Sequence, residues 1–346
     1  MSQLQKPMNV NDMPSGGIDF VLPWVDNEDT QWQDSLRKWL PATDASFDVS
    51  AARYRNWHLL RFWFRGVERF APWVRKIHLI TCGQKPHCLD YNNPKLHFVR
   101  HEDYLPVESL PVFSSNPIEV NLHKIEDLAE HFVYFNDDIF LVGPVSPDRF
   151  FHKGLPRDMG ILKGPCTGDD IMSHVIRNNM ALVSSKYSKC KAVWGHPLKW
   201  INPRYRGFMK LALPCLFRPH FETFLDPHMA QPYLKSLYVE TWESFKKEIL
   251  ETTTHRFRGK TDVTQWLFRY SQLAACMFHP TDLYKKTRIV FDIDNHLGEI
   301  DELLSGKRYN ILGLNDSMQI KDFETTRRLI HEAFERKFPE KSSFEL

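Results

Sequence analysis

Three polar residues, Asn136, Asp137 and Asp138, interrupt a stretch that is otherwise apolar and aromatic. The segments on either side, residues 132–135 and 139–142, are rich in aromatic and β-branched side chains, which predicts two buried strand segments. Two adjacent carboxylates are costly in such a setting unless they are paired or bind a cation. Their oxygens, beside the end of a sheet, suit Mg²⁺ or Mn²⁺, which usually carries substrate phosphates. A plain Asn-Asp-Asp turn between two strands is the alternative without a ligand.

Acidic residues follow two other predicted strands. Asp26 comes after a strand predicted at residues 18–25 and before a helix predicted at about 30–40. Open α/β folds bind ligands at this point of the chain, so Asp26 is a candidate for contacting a ribose or a uracil. As an ordinary turn residue it needs no ligand. Asn315 and Asp316 form a similar acidic end after one of the last predicted strands.

Two pairs of arginines are candidates for binding phosphate. Arg53 and Arg55 stand at the start of a predicted helix, where they could meet a diphosphate or simply be solvated. Arg256 and Arg258 alternate around Phe257, so in an extended segment both side chains would point to the same side. Planar guanidinium groups match the geometry of phosphate oxygens.

His228 follows Pro227, and proline is favoured in the first turn of a helix. We therefore predict a helix over residues 226–250 with His228 near its N-terminus. A histidine at that position can face an anion, although most single histidines have structural roles.

A further helix is predicted from the apolar spacing of residues 118–132, with Ser115 or Asn116 as its cap. Glu119 and His123 are four residues apart and would share one face of this helix. They could line a site or form a surface ion pair.

The composition indicates a globular protein with a large core. The chain has 346 residues, of which 42% are hydrophobic and 25% are charged. A net charge of +2 gives no overall case for binding nucleic acid or a membrane. The six cysteines include no C-x-x-C pair, no run approaches the ~18 apolar residues of a membrane span, and residues 1–17 lack the apolar segment of a signal peptide. We therefore expect a cytoplasmic protein.

The order of the elements predicts an α/β fold. A strand at residues 18–25, a helix at 53–70 and strands at 74–81 and 96–99 have the spacing of a βαβ unit with a parallel sheet. After residue 151 the periodicity weakens and a basic run interleaved with aromatic residues appears. This run could hold an anionic polymer or lipid headgroups, or it could be a solvated insertion. Its basic residues are Lys186, Lys189, Lys191, Lys199, Arg204 and Arg206.

Four groups of motifs, in order along the chain, resemble the Stealth protein family. They lie at residues 19–26, 53–138, 228–258 and 314–345, and together they span nearly the whole chain after residue 17. The resemblance is specific because the four groups occur in the family's order. Leu22-Pro23 and Asn27 depart from the family pattern, which leaves the choice of sugar open.

The Stealth family includes bacterial capsular polysaccharide phosphotransferases and the catalytic part of the lysosomal-enzyme GlcNAc-phosphotransferase. The resemblance implies transfer of a sugar 1-phosphate from a UDP-sugar, such as UDP-GlcNAc, to a hydroxyl of a growing capsular or cell-surface polysaccharide. UMP leaves and a phosphodiester forms. The implied fold is a nucleotide-sugar transferase core, GT-A-like and Rossmann-like, with a helical insertion.

The resemblance also implies roles for individual side chains. Catalytic roles fall to His228, Arg258, Asp137 and Asp138. A Mg²⁺ or Mn²⁺ ion would be held by Asp138, Asn315 and Asp316. The donor would be bound by Asp26, Arg53, Arg55, Ser114, Ser115, Asn116, Glu119, His123 and Arg256. Whether His228 or one of the carboxylates takes the proton of the acceptor stays open at this point.

The implied domain organisation has four parts. Residues 1–17 form a flexible arm, and residues 18–151 form the first part of a nucleotide-sugar-binding core. Residues 152–285 are a basic, helical insertion on the acceptor side that carries the catalytic histidine and arginine. Residues 286–346 complete the core.

The expected partners are the UDP-sugar donor and the polysaccharide acceptor, with a peripheral contact to the inner face of the plasma membrane or to the capsule machinery and none to nucleic acid. Two alternatives remain at this stage. One is a conventional metal-dependent glycosyltransferase that releases UDP, and the other is a non-catalytic glycan-binding subunit.

Overall fold

The computed structural model describes residues 14–40, 54–316 and 320–346. Arg53 and residues 1–13 of the predicted arm lie outside these ranges. The strands are β1 (Ile18–Pro23), β2 (Ile77–Thr81), β3 (Leu96–Arg100), β4 (His131–Tyr134), β5 (Ile139–Leu141), β6 (Phe151–His152), β7 (Leu155–Asp158), β8 (Leu162–Lys163), β9 (Thr223–Phe224), β10 (Gln231–Leu234), β11 (His279–Pro280), β12 (Thr287–Phe291) and β13 (Ile311–Asn315).

Helices connect and cover these strands. The α-helices are α1 (Thr30–Trp39), α2 (Leu60–Phe70), α3 (His101–Tyr104), α4 (Ser115–Glu119), α5 (Ile171–Lys186), α6 (Lys189–Gly195), α7 (Pro197–Trp200), α8 (Met209–Leu216), α9 (Lys235–Ser244), α10 (Lys246–Thr254), α11 (Gln265–Ala274), α12 (Leu297–Ser305) and α13 (Phe323–Lys337). Short 3₁₀ helices lie at Val107–Ser109, Leu122–Lys124, Pro147–Arg149, Pro203–Phe208 and Ile293–His296.

The main sheet of the described residues has five strands in the order β10-β4-β1-β2-β3. Strands β1 to β4 are parallel, and β10 pairs antiparallel with β4. All residues of β2 and β4 are buried, as expected for strands that are covered on both faces. The predicted α/β class with a parallel sheet is confirmed.

A smaller sheet joins the main sheet at the Asn-Asp-Asp segment. β4 and β5 are consecutive in the chain, but β5 pairs antiparallel with β13, which pairs parallel with β12. The amide of Leu314 donates to the carbonyl oxygen of Asp138 at 2.9 Å, so the end of β13 lies beside this segment. The two predicted strand segments with polar residues between them are confirmed. The acidic pair therefore lies where the chain crosses from one sheet to the other.

Helix α2 packs closely against β5 and holds the C-terminal segment. A Cβ atom at Gly66 would lie 2.5 Å from the carbonyl oxygen of Leu141, so only glycine allows this approach. The neighbouring Arg65 binds both carboxylate oxygens of Glu345 at 2.8 and 2.7 Å, and both side chains are buried. Arg65 also donates to the carbonyl oxygen of Phe338. The C-terminal motif, residues 338–345, thus fixes the face of α2 that carries Arg65.

The helices α5 to α11 all lie in the segment from residue 152 to residue 285. α5 and α9 both pack against α11. The same segment supplies β10, which completes the main sheet, so hydrogen bonds join it to the core. Among the described residues, no helix is both long enough and apolar enough to cross a bilayer.

Three predicted helices differ from the structure. Over residues 226–250 the chain forms β10 before α9 and α10, because the partner strand of β10 is distant in sequence and local periodicity does not reveal it. The helix predicted at 118–132 ends at Glu119 with α4. There the side chain of Asn121 donates through Nδ2 to the carbonyl oxygen of Pro117, four residues earlier, and so competes with the helical ladder. The helix predicted at 53–70 begins only at Leu60.

Candidate active site

A cavity of about 690 Å³ opens at the carboxyl ends of the parallel strands. Trp24 and Val25, which follow β1, line one part of it, and the Asn-Asp-Asp segment after β4 lines another. The chain leaves β1 toward β2 on one side and later returns to its other side as β4. Ligands of open α/β sheets bind at such a reversal of strand order, so the topology itself predicts a binding site here.

Most of the residues predicted from the sequence converge on this cavity. Those that line it are Arg55, Ser114, Ser115, Asn116, Glu119, Asp137, Asp138, His228, Arg258, Asn315 and Asp316. They come from both sheets and from the helical segment, so the cavity exists only when all three are folded together.

Asp138 and His228 form a hydrogen-bonded pair inside the cavity. The Nε2 atom of His228 lies 2.6 Å from Oδ2 of Asp138. Burial alone would lower the pKa of His228, but the hydrogen bond to Asp138 and the negative charges of Asp138 and Asp137 outweigh it and raise the pKa. Asp138 therefore favours the protonated form of the imidazole once that ring accepts a proton. The other carboxylate oxygen of Asp138, Oδ1, is buried and has no hydrogen-bond partner among residues 14–40, 54–316 and 320–346.

Asp137 faces the cavity next to this pair. The side chain of Asp137 is exposed in the cavity, but partial desolvation by the surrounding protein and, secondarily, the charge of Asp138 raise its pKa above the ordinary value. The raised pKa means that the site resists carrying two negative charges. A cation or a positively charged side chain at this place would favour the ionised form.

A buried network fixes the segment that carries His228. The guanidinium of Arg269 binds both oxygens of Asp158 at 2.9 and 2.8 Å and also reaches Asp226 at 3.0 Å, two residues before His228. The hydroxyl of Tyr270 donates to the other oxygen of Asp226. His228 therefore lies two residues after an aspartate that Arg269 and Tyr270 hold in place. The predicted position of His228 near the N-terminus of a helix is wrong, because a strand follows it.

Arg258 is held in the cavity by a second network. Its Nη2 donates to Oγ of Ser115 at 2.8 Å. Its loop is closed by the buried Asp262, which accepts from His255 Nδ1 at 2.6 Å and from Asn116 Nδ2 at 2.7 Å. These contacts join the loop after α10 to the Ser-Ser-Asn segment.

The Ser-Ser-Asn segment and α4 place two more predicted residues. Ser114, and not Ser115 or Asn116, is the N-cap of α4, since its Oγ accepts from the amide of Asn116 at 3.2 Å. Glu119 at the end of α4 accepts from the hydroxyl of Tyr134 at 3.1 Å. Because Tyr134 ends β4, this bond ties α4 to the main sheet.

Arg55 and Asp316 meet on the far side of the cavity. Nη1 of Arg55 lies 3.0 and 3.3 Å from the two carboxylate oxygens of Asp316, and the indole nitrogen of Trp57 donates to the same carboxylate at 3.3 Å. Arg55 was predicted to bind phosphate and Asp316 to bind a metal, and the structure shows that the two side chains form an ion pair.

Three predicted residues do not line the cavity. Asp26 accepts from the amide of Glu28 and from Asn56, each at 3.0 Å, so it shapes a turn and orients the cavity residue Asn56. His123 packs against aromatic rings at the end of α9 and does not share a helix face with Glu119. The helix predicted at 118–132 would have placed His123 one turn after Glu119, but α4 ends at Glu119.

Arg256 is the third of them. Its guanidinium lies 4.0 Å from the ring centre of Trp39 and donates to the carbonyl oxygens of Glu108 and Leu110. The chain bends at residues 256 and 257, so the alternation expected of an extended segment does not apply and the side chain of Arg256 leaves the cavity.

Known proteins that resemble this chain identify its family. A family model described as Stealth protein CR2, conserved region 2, matches residues 53–158. The capsular polysaccharide phosphotransferase WcwK of Streptococcus pneumoniae is 37% identical over 330 residues, which cover 95% of this chain and 98% of that protein. The chain belongs to the Stealth family. The resemblance seen in the sequence motifs is confirmed.

Two further relatives of this Stealth protein have similar coverage. The receptor polysaccharide phosphotransferase WefC of Streptococcus oralis is 36% identical over 334 residues, 95% of this chain and 99% of that protein. An exopolysaccharide phosphotransferase of Lactiplantibacillus plantarum is 33% identical over 330 residues, 95% of this chain and 96% of that protein.

Aromatic side chains form much of the cavity wall in this Stealth protein, and the sequence analysis did not single them out. Aromatic residues make up 13% of the chain, but most such side chains belong to the core, so composition alone could not select them. Tyr54 stands within the Arg-Tyr-Arg-Asn motif, which was a usable signal. The aromatic residues of the wall are Trp24, Trp32, Tyr54, Trp57, Phe113, Tyr134, Phe140 and Trp266.

The acidic side of the cavity fits a divalent cation. The unpartnered Oδ1 of Asp138 and the raised pKa of Asp137 are both expected where a cation belongs between carboxylates. Among the described residues, no three His, Cys, Asp or Glu side chains are placed to hold a metal by themselves. Mg²⁺ commonly takes only one or two carboxylates and completes its shell with water and substrate phosphates, so two carboxylates suffice.

Proposed function

We propose that this Stealth protein transfers a sugar 1-phosphate from a UDP-sugar, such as UDP-GlcNAc, to a hydroxyl of a growing capsular or cell-surface polysaccharide and releases UMP. Its full-length relatives are named capsular, exopolysaccharide and receptor polysaccharide phosphotransferases. The observation that carries the proposal is the convergence of the Asp138–His228 pair, Asp137 and Arg258 in one cavity at the strand ends. The volume of this cavity is typical of a site for a small ligand.

The donor would bind across the point where the strand order reverses. A GT-A-like, Rossmann-like nucleotide-sugar core is part of this proposal, supported by the order β4-β1-β2-β3 and by the position of the cavity. Trp24, Trp32 and Tyr54 offer flat faces for a base or a sugar ring. Arg55 would bind the diphosphate in exchange for part of its contact with Asp316.

The acceptor hydroxyl would attack the β-phosphorus of the donor. A new bond forms between the acceptor oxygen and phosphorus, and the bond from that phosphorus to the oxygen shared with UMP breaks. The acceptor proton passes to the Asp138–His228 pair. We assign the role of base to this pair because the 2.6 Å hydrogen bond lets Asp138 orient the imidazole and stabilise it once it is protonated.

Arg258 would stabilise the negative charge on the phosphoryl group as it is transferred. Its guanidinium is held by Ser115 Oγ at 2.8 Å, so its orientation is set before the donor arrives. Mg²⁺ or Mn²⁺, when bound by Asp138 with Asp137 and beside Asn315 and Asp316, would neutralise charge on the diphosphate. The protein's own groups supply positioning and a proton acceptor, and phosphoryl transfer requires little more.

A cytoplasmic location belongs to the proposal because UDP-sugars are cytoplasmic donors. The expected macromolecular partner is the growing polysaccharide, and we extend the proposal to a peripheral contact at the inner face of the plasma membrane.

The reaction can be tested by incubating the purified protein with Mg²⁺, a panel of UDP-sugars and polysaccharide fragments, followed by ³¹P NMR of the products. We expect UMP together with a new phosphodiester signal. UDP without a phosphodiester would identify a conventional glycosyltransferase and refute the proposal. UDP-sugar binding without turnover on any acceptor would instead indicate a glycan-binding subunit.

The assignment of residues is tested with two substitutions and two matched controls. Asp138→Asn and Arg258→Lys should each reduce transfer by about 10²–10³-fold while leaving the fold intact. Asp34→Asn and Arg100→Lys make the same chemical changes at exposed positions and should behave as wild type. Wild-type transfer rates in the folded Asp138→Asn and Arg258→Lys proteins would show that the cavity is not the reaction site.

A further inference from the structure

The charge of this protein is unevenly distributed along the chain. Between Asp170 and Glu222 there are nine Lys and Arg residues and no acidic residue. Since the whole chain has a net charge of only +2, the remainder carries more acidic than basic residues. This segment comprises α5 to α8 and the connections between them.

The same segment exposes large apolar side chains. Leu198 and Phe217 are 79% and 81% exposed, which is more than any other large apolar side chain among the described residues. The rings of Trp194 and Phe217 lie 6.1 Å apart, so α6 and the end of α8 share one surface. We call this the α6–α8 surface, and its exposed apolar residues are Trp194, Leu198, Ile201, Leu211, Leu213 and Phe217.

Helix α8 shows why this exposure is unusual. Its inner face consists of Ala212, Cys215 and Leu216, which are buried. Its outer face carries Leu213 and Phe217, and both are exposed. A surface helix of a soluble domain normally presents polar residues on its outer face. α8 therefore carries apolar side chains on both faces, and on the outer face Leu213 and Phe217 stay exposed although the ring of Phe217 contacts that of Trp194.

The basic residues of the segment are of three kinds. Ion pairs join Lys186, Arg206 and Arg218 to Glu240, Asp282 and Glu222, which lie outside the segment. Lys189 and Lys199 turn inward and donate to backbone carbonyl oxygens, so they are structural. Lys191, Arg204 and Lys210 are exposed, and in the part of the chain that the structure describes they form no ion pair. These three supply positive charge around the apolar side chains with no acidic neighbour from the same segment.

We propose that the α6–α8 surface docks on a bilayer that contains anionic lipids. Exposed Trp, Phe and Leu together with Lys and Arg are the composition of helices that lie in a membrane interface. Basic residues near the bilayer are attracted by the negative lipid headgroups. An anionic polysaccharide would satisfy the charges alone, but the aliphatic Leu198 and Leu213 would gain nothing from it. The proposal does not depend on the reaction proposed above.

Docking in this way would place the cavity close to the membrane. Met172, in the first turn of α5, lines the cavity, and α5 leads at its other end into α6. A helix of 16 residues is about 24 Å long. The cavity would thus lie about one length of α5, roughly 24 Å, from the surface that carries Trp194 and Leu198.

The test is sedimentation of the full-length protein with large unilamellar vesicles. We expect binding to vesicles of phosphatidylglycerol and phosphatidylcholine, much weaker binding to phosphatidylcholine alone, and partial loss at high salt. Leu198→Ser with Phe217→Ser should lower the partition coefficient at least about tenfold. Lys191→Gln with Lys210→Gln should lower it by roughly 25-fold at low salt, about fivefold for each charge.

Matched controls separate docking from misfolding and from general charge. Val107→Ser removes an equally exposed apolar side chain elsewhere, since Val107 is 78% exposed, and it should bind as wild type. Lys38→Gln with Lys247→Gln removes two exposed charges outside the surface and should have little effect. The side chains of Leu198 and Phe217 are mostly exposed and bury little apolar area, so the thermal midpoint should change little.

Three results would overturn the proposal. The first is an absence of binding to phosphatidylglycerol vesicles. The second is binding that the Leu198→Ser, Phe217→Ser protein retains in full, because charge alone would then suffice, as for a polyanionic saccharide. The third is a stable dimer that these substitutions dissociate in the absence of lipid, which would assign the surface to a second copy of the chain.

Discussion

Replacement of Asp262 by asparagine tests whether Arg258 owes its position to the buried carboxylate beneath its loop. Asp262 accepts hydrogen bonds from His255 Nδ1 at 2.6 Å, from Asn116 Nδ2 at 2.7 Å and from the amide of Gly259 at 3.0 Å. These bonds tie the loop that carries the arginine to the opposite wall of the cavity. The substitution changes one charge and almost no volume.

The expected cost follows from the kinds of bond that change. A hydrogen bond to a charged group contributes about 1.5–3 kcal/mol and a neutral one about 1 kcal/mol. Asn116 and the amide of Gly259 both donate to Oδ2 of Asp262, whereas His255 contacts Oδ1. Asparagine keeps one acceptor oxygen and presents an NH₂ group on the other side, so either His255 or both Asn116 and Gly259 lose their acceptor. The bond to His255 also loses its charge. We expect the free energy of unfolding to fall by about 2–4 kcal/mol.

The cost should vary with pH in a defined direction. The hydrogen bond from His255 to Asp262 raises the pKa of this histidine above its ordinary 6.5, against the opposing effect of partial burial. A histidine with a raised folded-state pKa contributes stability that is fully present below its unfolded pKa and lost as pH rises through the folded value. The advantage of wild type over Asp262→Asn should therefore be greatest near pH 6 and smaller at pH 9.

Urea unfolding at both pH values and initial rates of UMP release measure the two effects. We expect kcat to fall about tenfold, because Arg258 keeps its charge but loses its fixed position. His255→Gln should cost less in the Asp262→Asn background than in wild type, because both substitutions remove the same bond. An Asp262→Asn protein as stable as wild type at pH 6, or a stability difference that is the same at pH 6 and pH 9, would refute the reasoning.

Three further outcomes are expected. Tyr270→Phe removes one bond to Asp226 and should lower kcat about tenfold with little change in the donor KM, measured by steady-state kinetics; an unchanged kcat would mean that this network does not position His228. Arg269→Met leaves the buried Asp158 unpaired and should cost about 3–5 kcal/mol in urea unfolding, part of which Asp158→Asn in the same chain should restore; equal stability of single and double variants would contradict this. Chelation by EDTA should abolish transfer without changing the circular dichroism spectrum, and Mg²⁺ or Mn²⁺ should restore it; full activity in EDTA would exclude the divalent ion.

The sequence was sufficient where local chemistry decides the structure. The aromatic and β-branched runs of β4 and β5 predicted buried strands, and a parallel strand must end at a shared sheet edge, so Asp137 and Asp138 were found by pattern alone. The motif order identified the family, and most of its polar residues do line one cavity.

The predictions that were wrong share one cause: the positions concerned are set by contacts with residues that are distant in the sequence. Asp226 and Pro227 read locally as the start of a helix, but Asp226 is bound by Arg269, 43 residues later, and the following strand pairs with β4. The sequence predicted Arg256 beside Arg258. In the structure the guanidinium of Arg256 instead packs on Trp39 and donates to a carbonyl oxygen of another loop. No local pattern contains this information.

The C-terminal motif shows that a family signature need not mark the reaction site. Its residues, 338–345, end the fourth group that carried the resemblance, yet Glu345 is bound by the buried Arg65 of α2, and residues 338–345 lie outside the cavity lining, unlike Asn315 and Asp316 of the same group. Their contribution is to fix the helix that packs against β5.

The contacts that build the cavity also determine when the enzyme becomes competent during its synthesis. Asp138 and His228 are 90 positions apart, Ser115 and Arg258 are 143 apart, and Arg55 and Asp316 are 261 apart. A nascent chain on the ribosome therefore has no complete cavity until Asp316 has emerged. Chains shorter than this would be unable to carry out the proposed transfer, so the first turnover of each molecule comes only after that residue has been synthesised and has met Arg55.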